Sequence, residues 1–98
     1  MSRRSLEKAL GADCGNRLAR RLDDLRAAEC LADLRHLPGR CHELVGDRKG
    51  QLAIDVKHPH RLIFQPAHEE IPRREDGGLD WAHITAIRVL EITDYHHG

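Results

Sequence analysis

Gln51-Leu52-Ala53-Ile54-Asp55-Val56-Lys57-His58-Pro59-His60-Arg61-Leu62-Ile63-Phe64-Gln65 is the stretch that decides the architecture. Leu52, Ile54 and Val56 recur at every second position. Residues 51–57 therefore form a strand with those three side chains on one face and Gln51, Ala53 and Asp55 on the other. His58-Pro59-His60 makes a tight connection, and residues 61–65 return as the next strand. Upstream, residues 41–45 read as a short strand and Gly46-Asp47-Arg48-Lys49-Gly50 as the turn leading into the hairpin. Downstream, residues 66–80 form a polar loop with two Pro and two Gly, long enough to suggest a function or mobility. Residues 81–94 close the chain as its longest strand. Ile84, Ala86, Leu90 and Ile92 share a face with Arg88, while Ile87 and Val89 put apolar groups on the other, the pattern of a central strand.

The first half is helical. Residues 5–10 suit a short helix, with Ser5 as its cap and Leu6, Ala9 and Leu10 on one side. Gly11 and Gly15 interrupt it. Residues 16–28 form the strongest helix, in which Leu18, Leu22 and Leu25 make one inward stripe and Arg17, Arg20, Arg21 and Asp24 lie mostly outside it. A further helical turn fits residues 30–34, and Pro38-Gly39 ends helical structure. Helices first and strands later give an α+β class, an N-terminal helical hairpin packed on a small antiparallel sheet. A length of 98 residues suits one domain, 1–98.

Composition narrows the classes. There is no apolar run of about 18 residues, so no helix spans a membrane. Met1-Ser2-Arg3-Arg4-Ser5 carries the charge of a secretion signal without the apolar stretch that follows one, so a cytoplasmic location is expected. Cys14, Cys30 and Cys41 are odd in number and widely spaced, which favours reduced thiols over a disulfide or a zinc knuckle. The net charge of 0 conceals an asymmetry. Residues 1–50 hold 11 Lys/Arg and 8 Asp/Glu, whereas residues 51–98 hold 5 and 8. A basic face for an anionic partner and an ordinary solvated surface both fit that split.

Two stretches now matter together. One is Cys41-His42-Glu43-Leu44-Val45-Gly46-Asp47-Arg48-Lys49-Gly50, running into the strand at 51–56 and Arg61-Leu62-Ile63-Phe64. The other is Ile92-Thr93-Asp94-Tyr95-His96. The combination resembles the HigB-type toxins of the RelE/ParE superfamily, across nearly the whole chain. Pro72-Arg73-Arg74-Glu75-Asp76-Gly77-Gly78-Leu79-Asp80-Trp81 looks like the branch often labelled killer protein. The resemblance implies a RelE-like fold and the toxin of a type II toxin–antitoxin pair. Such a toxin is a metal-independent endoribonuclease that enters the ribosome and cuts mRNA, with no cofactor. It also implies a helix-turn-helix antitoxin of the HigA kind as partner, with operator DNA reached only through that antitoxin.

RNA cleavage by 2′-hydroxyl attack needs a proton acceptor, a cation for the phosphorane and a proton donor for the departing 5′-oxygen. Histidine suits the proton transfers, and arginine suits the charged phosphorane. The resemblance assigns His42 to acid–base work, Arg61 to phosphate charge and His96 to the second proton transfer. Asp94 orients His96, and Tyr95 positions or stacks on a base. Arg48 and Lys49 on the turn, Arg40, and the helix arginines Arg17, Arg20 and Arg21 are candidate RNA contacts. A solvated surface is the alternative for the turn and helix cations and for the C-terminal ending, a strand histidine packed beside the turn for His42, and an ion pair with Asp55 or Glu91 for Arg61. Three departures from the family pattern bear on function. Val45 stands where a lysine is common, no strand precedes the first helix, and the loop at 66–80 is longer and more acidic. Rival readings are a non-catalytic gyrase-directed inhibitor on the same fold, an inactive antitoxin-binding regulator, and surface metal binding by His58 with His60 or by His96 with His97.

Overall fold

The computed structural model describes residues 11–94. Its first element, α1 (Ala12–Ala27), is rich in Ala, Leu and Arg, residues that lose little freedom on entering a helix. It begins directly after Gly11, whose φ of 87° suits a residue without Cβ. The expected start at Asn16 is corrected to Ala12. Gly15 is buried inside the helix and does not interrupt it, because burial against neighbouring elements offsets its poor helix propensity. The short helix expected at residues 5–10 lies outside the described residues. Within α1, Cys14, Leu18 and Arg21 are buried, and Leu22 and Leu25 are partly buried against the core.

A 3₁₀ segment, Leu31–His36, follows and contributes Leu31 and Leu34 to the core. The chain then turns at Pro38-Gly39-Arg40. Gly39 has a φ of 113°, and a Cβ there would lie 2.6 Å from Ile54 Cγ1, so only glycine fits this approach to the sheet. Arg40 also has positive φ, 49°, which is uncommon for a residue with a side chain.

Four strands follow: β1 (His42–Glu43), β2 (Leu52–Lys57), β3 (His60–Pro66) and β4 (Ile87–Asp94). They form an antiparallel sheet in the order β1-β2-β3-β4, so the α+β expectation holds. β1 is shorter than the expected 41–45. Leu44 N–H still bonds Gln51 C=O at 2.9 Å, but the chain then coils into a 3₁₀ turn at Gly46–Arg48. The hairpin of β2 and β3 is as expected, with a cis bond at His58-Pro59. Leu52, Ile54, Val56, Leu62 and Phe64 bury one face of the sheet with Leu18, Leu31 and Leu34 in a single core. Full burial of such side chains contributes about 1.5–3 kcal/mol each.

The segment between β3 and β4 is pinned to the molecule. Leu79, Trp81 and Ile84 belong to the same core, with Ile71 packed against it. His68 Nε2 accepts hydrogen bonds from the backbone N–H groups of Thr85 and Ala86 at 3.0 and 3.3 Å. The expected strand at 81–94 is corrected on two points. Trp81–His83 is a 3₁₀ turn, because Trp81 and Ile84 turn into the core and Ile84 C=O takes the N–H of Leu31. Among the described residues the remaining strand, β4, lies at an edge of the sheet and not at its centre. The apolar residues expected on both faces lie mostly on one, because a register shift leaves Leu90 as an extra residue and puts Ile87, Val89 and Ile92 all on the α1 side. No helix among the described residues is long and apolar enough to cross a membrane.

Candidate active site on the far face of the sheet

Strand register fixes which side chains share the face turned away from α1. His42 lies opposite Ala53, Ala53 opposite Ile63, and Ile63 opposite Glu91, one row across all four strands. The next row is Asp55, Arg61 and Thr93. Alternation places Glu43 on the opposite, core-facing side, where its Oε2 accepts a 2.9 Å hydrogen bond from Trp81 Nε1. Arg35 stands 4.5 Å over the same indole ring. The core thus holds β1 in register through Glu43, and His42 is presented on the other face as a consequence.

His42 lies in a cleft of about 340 Å³ with Leu44, Val45, Arg48, Ile63 and Thr93. Its Nδ1 is 2.7 Å from the Arg40 carbonyl oxygen. A carbonyl can only accept, so Nδ1 carries the proton, and in the neutral ring Nε2 keeps its lone pair. That is the tautomer a general base needs. The left-handed backbone at Arg40 belongs to the turn that brings this carbonyl to the ring. Val45, standing where the family commonly has lysine, is 85% exposed and leaves one wall of the cleft apolar.

Asp55 organises the cations beside this cleft. Its Oδ2 accepts from Arg40 Nε at 2.9 Å, and its Oδ1 lies 3.3 Å from Arg61 Nε. Its backbone is engaged as well: N–H donates to Gly39 C=O at 2.6 Å, and C=O accepts from Arg21 Nε at 3.2 Å. Arg48 reaches back from the turn to Glu91 at 3.2 Å and to Gln51 at 2.9 Å. Arg40, Arg48 and Arg61 are therefore gathered on one face and held by two carboxylates. For Arg61 the ion-pair alternative is the one realised. An incoming phosphodiester would compete with Asp55 and Glu91 for these guanidinium groups.

Arg21 is not a surface residue. It is 9% exposed, bonded to the Asp55 carbonyl and paired with Asp24 at 3.1 Å. It occupies an inward helical position, seven residues after Cys14, and its charge is satisfied inside the helix–sheet seam. Arg17 pairs with Asp13 on the helix surface, and Arg20 is exposed beside Asn16 and Asp23. Lys49 is exposed on the turn. Asp94 lies opposite His60 in the register, on the face opposite to Arg61 and His42. Tyr95, His96 and His97 lie outside the described residues. Sequence reasoning placed Asp55 only as a partner for Arg61, and missed its bonds to Gly39, Arg21 and Arg40 and the anchoring of β1 by Glu43. The cue for the first was a charged residue inside an alternating strand.

Cys41 adjoins His42, yet burial pushes its thiol from the ordinary value of 9.0 up to about 12. It stays neutral near pH 7 and is no thiolate nucleophile for the imidazole. Burial also raises the Cys14 thiol, whose Sγ lies 3.8 Å from His60 Nδ1. Among the described residues no three His, Cys, Asp or Glu side chains converge as a metal-binding group.

No family model matches the chain. A curated protein named Toxin HigB-1, from Vibrio cholerae serotype O1, is 47% identical over 51 residues, which is 51% of this chain and 54% of that protein. The chain thus spans about half the length of the curated relative it matches. The likeness supports the resemblance to HigB-type toxins.

Proposed function

We propose that this protein is the toxin of a toxin–antitoxin pair and acts in the cytoplasm as a metal-independent endoribonuclease on ribosome-bound mRNA. One observation carries the reading: a histidine whose Nδ1 is fixed by a backbone carbonyl, at a cleft beside a face that gathers Arg40, Arg48 and Arg61. The similarity to Toxin HigB-1 supports it.

In this reading His42 Nε2 takes the proton of an RNA 2′-hydroxyl, whose oxygen then attacks the adjacent phosphorus. Arg61 and Arg48, moving from carboxylate to phosphate, hold the two non-bridging oxygens as charge builds on them. The 5′-oxygen leaves with a proton from a second donor, for which His96 is proposed, with Tyr95 holding a base. Asp94 lies on the other face of the sheet, so its proposed part in orienting His96 requires the chain to pass round the end of β4. The products are a 2′,3′-cyclic phosphate and a 5′-hydroxyl. Need for the 2′-hydroxyl confines the reaction to RNA. Arg40 and Lys49 extend the phosphate contacts at the cleft, while Arg17 and Arg20, on α1 across the sheet, are proposed as separate contacts to ribosomal RNA. A helix-turn-helix antitoxin of the HigA kind is the proposed partner, and operator DNA is met only through it.

Induced expression in a bacterium tests this. Growth should stop, and mRNAs should be cut within reading frames. His42→Ala and His96→Ala should each abolish cleavage while retaining antitoxin binding. Growth arrest with intact mRNA and failing DNA gyrase would favour the non-catalytic inhibitor, a reading consistent with the carboxylate pairing of the arginines. Unchanged cleavage in both histidine variants would remove the site assignment.

A further inference from the structure

Trp81 leads into β4, the last strand in the sheet order, yet its indole reaches β1, the first. Three inter-strand spacings, about 14 Å, separate those two strands. The segment between β3 and β4 crosses that span on the α1 side of the sheet and is a built structure. Ala67 N–H bonds Ala86 C=O at 2.9 Å, and His68 accepts from Thr85 and Ala86, which joins the two ends. Asp80 N–H bonds Pro72 C=O at 3.1 Å, and Leu79, Trp81 and Ile84 are buried in the core. At 7% exposure the Trp81 Nε1–H needs an acceptor inside the protein, and Glu43 Oε2 supplies it at 2.9 Å. The Arg35 guanidinium, 4.5 Å over the ring, holds the plane of the indole from the 3₁₀ segment.

We propose that Glu43 and Trp81 are positioning residues for His42: the segment between β3 and β4 places the imidazole at its cleft from the opposite face of the sheet. β1 is two residues long, and the chain soon leaves it for the 3₁₀ turn at Gly46–Arg48. So short a strand makes few ladder bonds of its own, and its local opening costs far less than global unfolding. His42 and Glu43 are neighbours, so their side chains leave β1 on opposite faces. Fixing the one therefore fixes the height and tilt of the other. The Arg40 carbonyl orients the ring through Nδ1, but Arg40 belongs to the same stretch of chain and moves with it. The placing of His42 beside Arg48 and over Ile63 depends on where β1 lies against β2.

Glu43 is an exposed residue, so its side chain adds little burial to the core, and its bond to the indole acts chiefly on β1. Its carboxylate is engaged on the α1 side, and its part in the reaction is through His42. For the effect on cleavage this assignment rests on His42 being the acid–base group. For the placement of His42 it rests on the fold.

Three substitutions in the full chain test this. Glu43→Leu removes the acceptor, Glu43→Gln keeps one, and Trp81→Phe removes the donor while keeping a ring. Amide hydrogen exchange reads the Leu44 N–H, which bonds Gln51 C=O beside His42. In Glu43→Leu it should exchange about tenfold faster or more, with the β2–β3 amides unchanged. The His42 ring resonances should shift in Glu43→Leu and return in Glu43→Gln. In ribosome-dependent cleavage the single-turnover rate of Glu43→Leu should fall by about tenfold or more, with the mRNA concentration for half-saturation unchanged. Glu43→Gln should restore that rate. The double variant E43L/W81F should be no slower than the slower single variant, since both remove one bond. Three outcomes would overturn the proposal: Leu44 exchange indifferent to Glu43→Leu, failure of Glu43→Gln to restore the ring resonances, or equal acceleration of the β2–β3 amides, which would make the bond a matter of general stability. A wild type that cuts no mRNA, with Leu44 and the His42 ring responding as expected, would sink the acid–base role of His42 and uphold its positioning by Glu43 and Trp81.

Discussion

Single residues show most clearly how a charge can be structural or functional according to what surrounds it. Asp55 is one of 16 acidic residues, yet it ties the Gly39 turn, the helix and two arginines of the far face together. Asp55→Ala should cost about 1–3 kcal/mol in urea unfolding, discounted for the exposure of the Arg40 side of the pair. Gly39→Ala should cost about 2–4 kcal/mol by the same measurement, since it combines a positive φ with a clash against Ile54. Cys41 gives a pH prediction. Its thiol is raised by burial, so the folded state keeps a proton that the unfolded chain gives up above its ordinary value of 9.0. Stability should be unaffected by this group below pH 9.0 and should fall as pH rises from there toward about 12. A Cys41→Ala variant, compared by urea unfolding at neutral and alkaline pH, should lose that extra alkaline sensitivity. At the acid end, Lys57 beside Asp13 holds that carboxyl below its usual range, a contribution lost as pH falls through it.

At the scale of elements, the helix and the edge strand repay comparison. The inward stripe of α1 reads Cys14, Leu18, Arg21, Leu25, so an arginine sits where the pattern asks for an apolar residue. Leucine spacing alone marked the helix, but the placement of Arg21 depends on an acceptor, the Asp55 carbonyl, 34 positions away in the chain. Leu18→Ala should destabilise by about 2–5 kcal/mol, as a cavity under the sheet would predict. Arg21→Ala should also destabilise, by about 1–3 kcal/mol, because it leaves a buried carbonyl without its donor. For β4, periodicity was misleading in an instructive way. Apolar residues on both faces signal a central strand when alternation is regular, and here the shift at Leu90 breaks the alternation.

Over the whole molecule, the charge asymmetry of the two halves is converted into pairs. Arg48 from the basic half meets Glu91 of the acidic half, and Arg40 meets Asp55. The acidic loop does not stand away from the body, since Leu79 and Trp81 bury its end in the common core. If RNA binds the far face, affinity should fall with salt. Arg48→Ala or Lys49→Ala should each lower the slope of log affinity against log salt by about 0.7, while Arg21→Ala should leave it unchanged because that charge is buried. Filter binding of a single-stranded RNA across a salt series measures the three slopes.

Local pattern by itself determined the α+β class, the β2–β3 hairpin and the leucine stripe of the main helix, whereas the candidacy of His42 came from the family resemblance. Class, hairpin and stripe depend on periodicity and on turn residues adjacent in the chain. Tertiary structure alone decided the rest: that Arg21 is buried, that Asp55 gathers Arg40 and Arg61, that Glu43 and Trp81 hold β1, that Asp94 lies on the other face from Arg61, and that β4 is an edge of the sheet among the described residues. Each depends on a partner far away in sequence or on one extra residue in a strand. A hydrogen-bond acceptor across the core, or a single-residue shift in register, changes where a side chain points without leaving a mark on the local pattern.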